Sequence, residues 1–241
     1  MSTVVVTGGT KGLGLSIVRQ IISSTEFECI VVARNMSPEL STMIDQSDRI
    51  RFIQFDLSDT HKIYDLSLEI KSLIPEGPYG LVNNAAMGGD GILATQHISD
   101  MERIVRVNQI SPILLSKFLG RQMLRNKVGH IINISSVVAK TGYSGLSVYA
   151  STKAALLGFS RSLAREYGKY GVCVNSILPG FMTTDMTSGM GDEKMNTIAR
   201  RSPTKSLPST TAAAKLVITI LTTSDYSING AEFVIDAGNS A

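Results

Sequence analysis

Residues 2–24, STVVVTGGTKGLGLSIVRQIISS, decide how this chain is read. The β-branched run over 2–7 has the apolar continuity of a buried parallel strand. The segment LSIVRQIIS that closes the stretch repeats its apolar residues at helical spacing. Between them lies TGGTKGLG, with glycines at 8, 12 and 14. Strand, glycine-rich turn and helix in that order make the context a dinucleotide loop requires. Gly8, Gly12 and Gly14 allow a tight turn, main-chain approach to a pyrophosphate, and close packing of helix on strand. The free N–H groups of the helix N-terminus then face the phosphates. The spacing is T-G-x-x-x-G-x-G rather than G-x-G-x-x-G.

Outward from this unit, strand-like and helix-like runs alternate to the end of the chain. ECIVVAR (28–34), IRFIQFDL (50–57), the start of PYGLVNNAAMGG (78–89), GHIINISSVV (129–138), GVCVNSILPG (171–180) and GAEFVIDAG (230–238) read as six further strands. SDTHKIYDLSLEIKSLIP (58–75) reads as a helix with Ser58 or Asp59 as its cap, stopped at Pro75. SDMERIVRVNQISPILLSKFLGRQML (99–124) reads as a long helix disturbed near Asn108 and Pro112. SVYASTKAALLGFSRSLAREYG (147–168) and STTAAAKLVITILTTS (209–224) are helices. Residues 181–203 are polar, glycine-spotted and Met-rich, and read as a long mobile crossover. With no linker or repeat, the expectation is one doubly wound α/β domain over 1–241.

Composition narrows the function classes. The 241 residues are 43% hydrophobic and 18% charged, with a net charge of +3 spread along the chain. A nucleic-acid footprint needs clustered basic residues, so none is expected. The longest apolar runs, such as AAAKLVITIL (212–221), are short and carry a lysine, so no membrane span is expected. The N-terminus enters a strand at once and does not read as a signal peptide. Cys29 and Cys173 sit in apolar strands as buried thiols, consistent with reduced cytosol. His61, His97 and His130 lack ligand spacing, so no metal site is expected.

Candidate site residues gather at the carboxyl ends of the strands, where ligands collect in open α/β sheets. Arg34 ends the second strand and Lys11 lies in the glycine loop. Cations there suit the 2′-phosphate of NADP(H) better than the ribose of NAD, the alternative being a solvated strand-end charge. Asp56 follows the third strand, where a carboxylate could accept from an adenine amino group. Asn83 and Asn84 end the fourth, as ligand contacts or as structural turn residues. Tyr149 and Lys153 stand four residues apart, hence on one helix face. A cation beside a phenol favours the phenolate, so Tyr149 is expected to have a lowered pKa and to exchange protons near neutral pH.

TGGTKGLG, NNAA, Asn108, Ser136, Y-A-S-T-K and LPGFMTTDMT stand in the order of the short-chain dehydrogenase/reductase family, which this chain resembles over essentially its whole length. Within it, ISSVV, LLGFSRSLAREYG and PGFMTTDMT are most similar to 3-oxoacyl-[acyl-carrier-protein] reductases. The resemblance implies a Rossmann fold with a seven-stranded parallel sheet, helices on both faces, and a substrate-lid crossover at about 181–205. It implies Asn108, Ser136, Tyr149 and Lys153 as catalytic residues, with Ser136 and Tyr149 also meeting the substrate. It implies cofactor contacts from Gly8, Thr10, Lys11, Gly12, Leu13, Gly14, Arg34, Asp56, Leu57, Asn84, Ala85, Met182 and Thr184, besides Tyr149 and Lys153. In this scheme Asn108 holds a water that reprotonates Lys153, and Lys153 bonds the nicotinamide ribose.

The implied activity is NADPH-dependent reduction of a ketone, a 3-oxoacyl thioester by subgroup. Other alcohols or ketones, or a non-catalytic regulator, remain alternatives. Met87, Tyr143 and the crossover methionines Met182, Met186, Met190 and Met195 are candidates for an apolar substrate pocket, or else pack a lid helix. Arg125 and Lys127 are candidate contacts for an acidic acyl carrier protein, or else a solvated helix end. A cytoplasmic homotetramer built through the helices near 101–126 and 147–168 is the implied assembly. Departures from the family pattern are Ala86, Ala237 and a short loop between the second and third strands.

Overall fold

The computed structural model describes residues 2–89, 91–187, 189 and 191–241; Met190, a candidate pocket residue, lies outside the described residues. Seven strands form one parallel sheet in the order β3-β2-β1-β4-β5-β6-β7. They are β1 (Thr3–Thr7), β2 (Glu28–Ala33), β3 (Ile50–Gln54), β4 (Gly80–Asn83), β5 (Gly129–Ile134), β6 (Val172–Pro179) and β7 (Glu232–Ile235). The helices are α1 (Gly12–Ser24), α2 (Pro38–Gln46), α3 (Ile63–Leu73), α4 (Ile98–Val105), α5 (Ser111–Asn126), α6 (Val138–Thr141), α7 (Ser147–Gly168), α8 (Asp192–Arg201) and α9 (Thr210–Thr222). This is the doubly wound sheet expected from the alternating pattern.

Strand residues on alternate positions serve opposite faces. Val4 and Val6 of β1 join a core with Ile17 and Val18 of α1 and Ala213, Ala214 and Val217 of α9. Val5 joins the other core, with Ile70 of α3, Leu115 of α5 and Leu163 of α7. Each fully buried valine or isoleucine contributes roughly 1.5–3 kcal/mol of transfer free energy. A sheet covered on both sides therefore needs apolar strands on both sides, which is why β1 is a continuous valine run.

Four local expectations change. The connection after β2 holds α2, a helix absent from the sequence reading. Leu40 is its one fully buried residue, so periodicity is weak; the signal was Ser37-Pro38, where the Ser37 hydroxyl accepts from Leu40 N at 3.2 Å and Pro38 takes the first turn. The α3 region starts with a short 3-10 turn at Thr60–Lys62, and neither Ser58 nor Asp59 caps it with a side chain. Val138 leaves the fifth strand and opens α6. The crossover after β6 contains α8, with Asp192 and Glu193 in its first turn and Arg200 and Arg201 in its last, charges that suit the helix dipole.

The chain reverses direction across the sheet between β1 and β4, and there the loops after the two strands diverge. A cleft of about 750 Å³ opens at that point, above the carboxyl ends of the strands. Among the described residues no helix is long and apolar enough to cross a membrane, and no cluster of metal-ligating side chains occurs.

Candidate active site

The glycine loop forms one wall of the cleft. Gly8 has φ +67° and a Cβ there would lie 2.8 Å from Ala85 Cα. A Cβ on Gly14 would run into the Gly8 carbonyl oxygen and the Asn84 amide. These two glycines are required by the chain's own packing, before any ligand is considered. The Asn84 amide donates to Thr7 O at 2.9 Å and Gly8 O at 3.1 Å, so Asn84 braces the loop from beneath. Thr7, which sequence reasoning passed over, accepts the N–H groups of Asn84 and Ala85, each at 3.0 Å. Asn83 faces the core, donating to Asn133 at 2.8 Å and Ser116 at 3.3 Å, and is structural.

The N-terminus of α1 has no side-chain cap and no acidic residue in its first turn. Its free N–H groups point at the cleft, the arrangement that receives an anion. Thr10, Lys11, Gly12, Leu13 and Gly14 all line this wall. Thr184 packs over Gly12, and Lys11 pairs with Asp185 at 3.0 Å, so the crossover rests on the loop. Within the crossover the Thr187 hydroxyl donates to Met182 O at 2.7 Å and Thr184 O at 3.0 Å.

Arg34, Asp56 and Leu57 line the far end. Burial alone would raise the Asp56 carboxyl, but the Ser58 N–H and hydroxyl and the guanidinium groups of Arg103 and Arg34 together hold it below its usual range.

Ser136, Tyr149 and Lys153 meet at the opposite end. Helix α7 carries Tyr149 and Lys153 on one face, with Nζ 5.7 Å from the tyrosine ring centre. Lys153 is 1% exposed and donates to Ile134 O at 2.6 Å. The Ser135 hydroxyl donates to Lys153 O at 2.8 Å and fastens the helix to β5. The Ser136 hydroxyl faces the Tyr149 phenol and favours its ionised form. Its other contacts, to Pro179 O and Val138 N, are both long at 3.4 Å, which leaves it ready to turn to a ligand.

The lowered tyrosine pKa is not found. Burial pushes Tyr149 up to about 12, and the Ser136 hydroxyl offsets only part of that. Burial also lowers Lys153 to about 7, so the cation meant to favour the phenolate is itself half lost at neutral pH.

Asn108 lies in a π turn, Arg106–Ile110, between α4 and α5. The expected disturbance of the long helix is there, and such turns are frequent at functional sites. Its side chain is occupied, however. Oδ1 accepts Met87 N at 2.7 Å, and Nδ2 donates to Met87 O at 2.9 Å and to Thr152 Oγ1 at 3.2 Å. Thr152, unnoticed in the sequence, in turn donates to Tyr149 O at 2.7 Å.

Met87, Met182 and Met186 line the cleft with Val107, Val138 and Phe181. Tyr143 instead packs on Phe181 with the rings tilted at 56°, their centres 5.0 Å apart, and Lys194 over its ring. Met195 is on α8. Arg125 and Lys127 stand at the C-terminus of α5, before β5 begins, at the end of that strand opposite Ser136. They do not flank the cleft.

A model of the short chain dehydrogenases matches residues 2–195, and the chain belongs to that family of oxidoreductases. It is 32% identical over 235 residues to the 3-oxoacyl-[acyl-carrier-protein] reductase FabG of Haemophilus influenzae, covering 97% of this chain and 96% of that one. It is 30% identical over 189 residues to carbonyl reductase family member 4 of Xenopus laevis, covering 78% and 79%. Among solved structures, 4-hydroxyisoleucine dehydrogenase complexed with NADH superposes at a TM-score of 0.92 with 23% identity, covering 100% of this chain and 99% of that one.

Proposed function

We propose that this chain is an NADPH-dependent carbonyl reductase that converts a 3-oxoacyl thioester to the 3-hydroxyacyl product. The observation that carries this reading is one cleft with Ser136, Tyr149 and Lys153 at one end and Arg34 beside Asp56 at the other. The residues fit a dinucleotide. The uncapped N-terminus of α1 would take the diphosphate, with main-chain N–H groups from the loop around Thr10, Gly12, Leu13 and Gly14. Arg34 and Lys11 would take the 2′-phosphate, and Asp56 with Leu57 the adenine. Asn84, Ala85, Met182 and Thr184 would border the nicotinamide, and Tyr149 and Lys153 its ribose.

NADPH, when bound, supplies the hydride. Ser136 donates a hydrogen bond to the ketone oxygen and orients it. Tyr149, which keeps its proton at neutral pH in this setting, gives that proton to the oxygen as negative charge develops. Lys153, poised near pH 7, restores the proton to the phenol. The Asn108 carboxamide is committed to Met87 and Thr152, so its part is to hold the cleft wall and α7 together, and a relay water would need its main chain instead.

Among the described residues, the charged ones lining the cleft other than Lys153 are Lys11, Arg34, Asp56, Arg103 and Asp185, all grouped with the phosphate loop or Asp56. The reacting end is walled by Met87, Val107, Val138, Phe181 and Met186. That lining supports an uncharged apolar ketone over a carboxylate or sugar. It also suits a polyketide-like ketone, which is the second reading. The position of Arg125 and Lys127 lends no support to a carrier protein docking through them.

We further propose that residues 1–241 act as one unit, that about 181–205 serve as the substrate lid, and that α5 and α7 pair chains into a homotetramer. A light-scattering mass near the 25.9 kDa of one chain contradicts the assembly. The function is tested by NADPH and NADH oxidation with acetoacetyl thioesters against a panel of simple ketones. Turnover of the thioester with NADPH supports the proposal; turnover of other ketones alone moves the substrate. Tight NADPH binding with no carbonyl reduced favours a regulator.

A further inference from the structure

Asp56 is gripped at both carboxylate oxygens. Oδ1 accepts the Ser58 N–H at 2.8 Å, and Oδ2 accepts Nη2 of Arg103 at 3.2 Å. Arg103 reaches it from α4, 47 residues further along the chain. Its side chain is 41% exposed and lines the same cleft as Asp56 and Arg34. Its helix neighbours give it no other partner. Ile104 turns into the core, and Arg106, one turn on, pairs with Glu102 at 3.3 Å.

A carboxylate has about four lone-pair sites. With Ser58 holding the carboxylate from one side and Arg103 holding Oδ2 from the other, the group is fixed in orientation and still has acceptor capacity. An exposed ion pair of this kind contributes little to stability, so what it does for the fold does not account for it. What it does do is stop Asp56 from swinging at the rim of the cleft.

We propose that Arg103 is a positioning residue for the base end of the cofactor site. By holding Oδ2 it aims Asp56 at the exocyclic amino group of a purine, so the site selects adenine over a 6-oxopurine. An amino group donates to the carboxylate; a 6-oxo group presents a second acceptor to it and is repelled. Without Arg103 the carboxylate keeps only the Ser58 anchor and can turn away from either base. This deepens the dinucleotide assignment under the proposed function and rests on it.

The test needs no carbonyl substrate. Binding of NADPH and of its hypoxanthine analogue, reduced deamino-NADP, is titrated by nicotinamide fluorescence for the unaltered chain, Arg103→Ala, Arg103→Lys and Asp56→Asn. The unaltered chain should prefer NADPH by roughly tenfold, the size of one hydrogen bond to a charged group. Arg103→Ala should reduce that preference at least about threefold, Arg103→Lys less, and Asp56→Asn should nearly abolish it. The preference for 2′-AMP over 5′-AMP as competitor should not move in Arg103→Ala, because the 2′-phosphate role is given to Arg34 and Lys11.

Weaker binding of both dinucleotides by the same factor in Arg103→Ala would mark Arg103 as merely structural and overturn the inference. An unaltered chain that binds both equally would overturn it too, while the dinucleotide assignment stands. A chain that binds neither removes that assignment along with it.

Discussion

Asn108 and the main chain of Met87 clasp each other at both ends, Oδ1 accepting from Met87 N at 2.7 Å and Nδ2 donating to Met87 O at 2.9 Å. Asn108 is fully buried, and its third bond reaches Thr152, which is bonded to Tyr149 O. One carboxamide thus ties the loop after β4, a cleft wall, to the helix bearing the tyrosine. Asn108→Ala should cost about 2 kcal/mol, since it leaves the partners of a buried group unsatisfied. Urea denaturation checks this; a midpoint equal to that of the unaltered chain would reject the clasp.

Tyr149→Phe isolates the phenolic oxygen. The ring stays on α7 and the glycine loop is untouched, so NADPH binding should change less than about threefold. Turnover should fall at least about 100-fold, the low end for a general acid. Single-turnover kinetics under saturating cofactor measure it, and near-normal rates would sink the acid role.

The fold was legible because its signals are local. A valine run, a glycine turn and an amphipathic helix follow one another within the first 24 residues, and the same alternation continues to β7. Tyr149, Lys153 and Ser136 were legible from spacing and order, and the structure brings them to one end of the cleft. What stayed hidden was not local. Thr152 matters through a side chain 44 residues away, and Arg103 through one 47 residues away; neither is marked by its neighbours in sequence. The pKa of Tyr149 was misjudged for a related reason. Spacing says that a lysine is near, but not that both groups are desolvated, and desolvation wins. Helix α2 was missed because Leu40 alone carries its fully buried face.

Arg34 should set the choice between the two nicotinamide cofactors. Its guanidinium acts on Asp56 across one end of the cleft, so Arg34→Asp both removes a cation and sets two carboxylates near each other. A 2′-phosphate would then be repelled, whereas a 2′-hydroxyl could donate to the new acid. The ratio of kcat/KM for NADPH to that for NADH should drop at least about tenfold, roughly the worth of one charge-assisted hydrogen bond. An unchanged ratio would exclude Arg34 from the phosphate site.

Lys153 gives the protein a stability that rises with pH. Its folded pKa, about 7, lies below the ordinary lysine value of 10.5. Between those values the unfolded chain binds a proton that the native chain does not, so stability increases as pH rises through that window. Below about pH 7 the full penalty of a buried ammonium is present; above about pH 10.5 it is gone. Lys153→Met removes the penalty but leaves the Ile134 carbonyl without its 2.6 Å partner. Setting one against the other, the variant should be more stable than the unaltered chain at pH 7 by on the order of 2 kcal/mol, with no turnover. That advantage should shrink steadily toward pH 10 and reverse there, where only the orphaned carbonyl still counts. Denaturation at a series of pH values reads the difference directly, and a gap independent of pH would show that Lys153 keeps its charge in the folded protein.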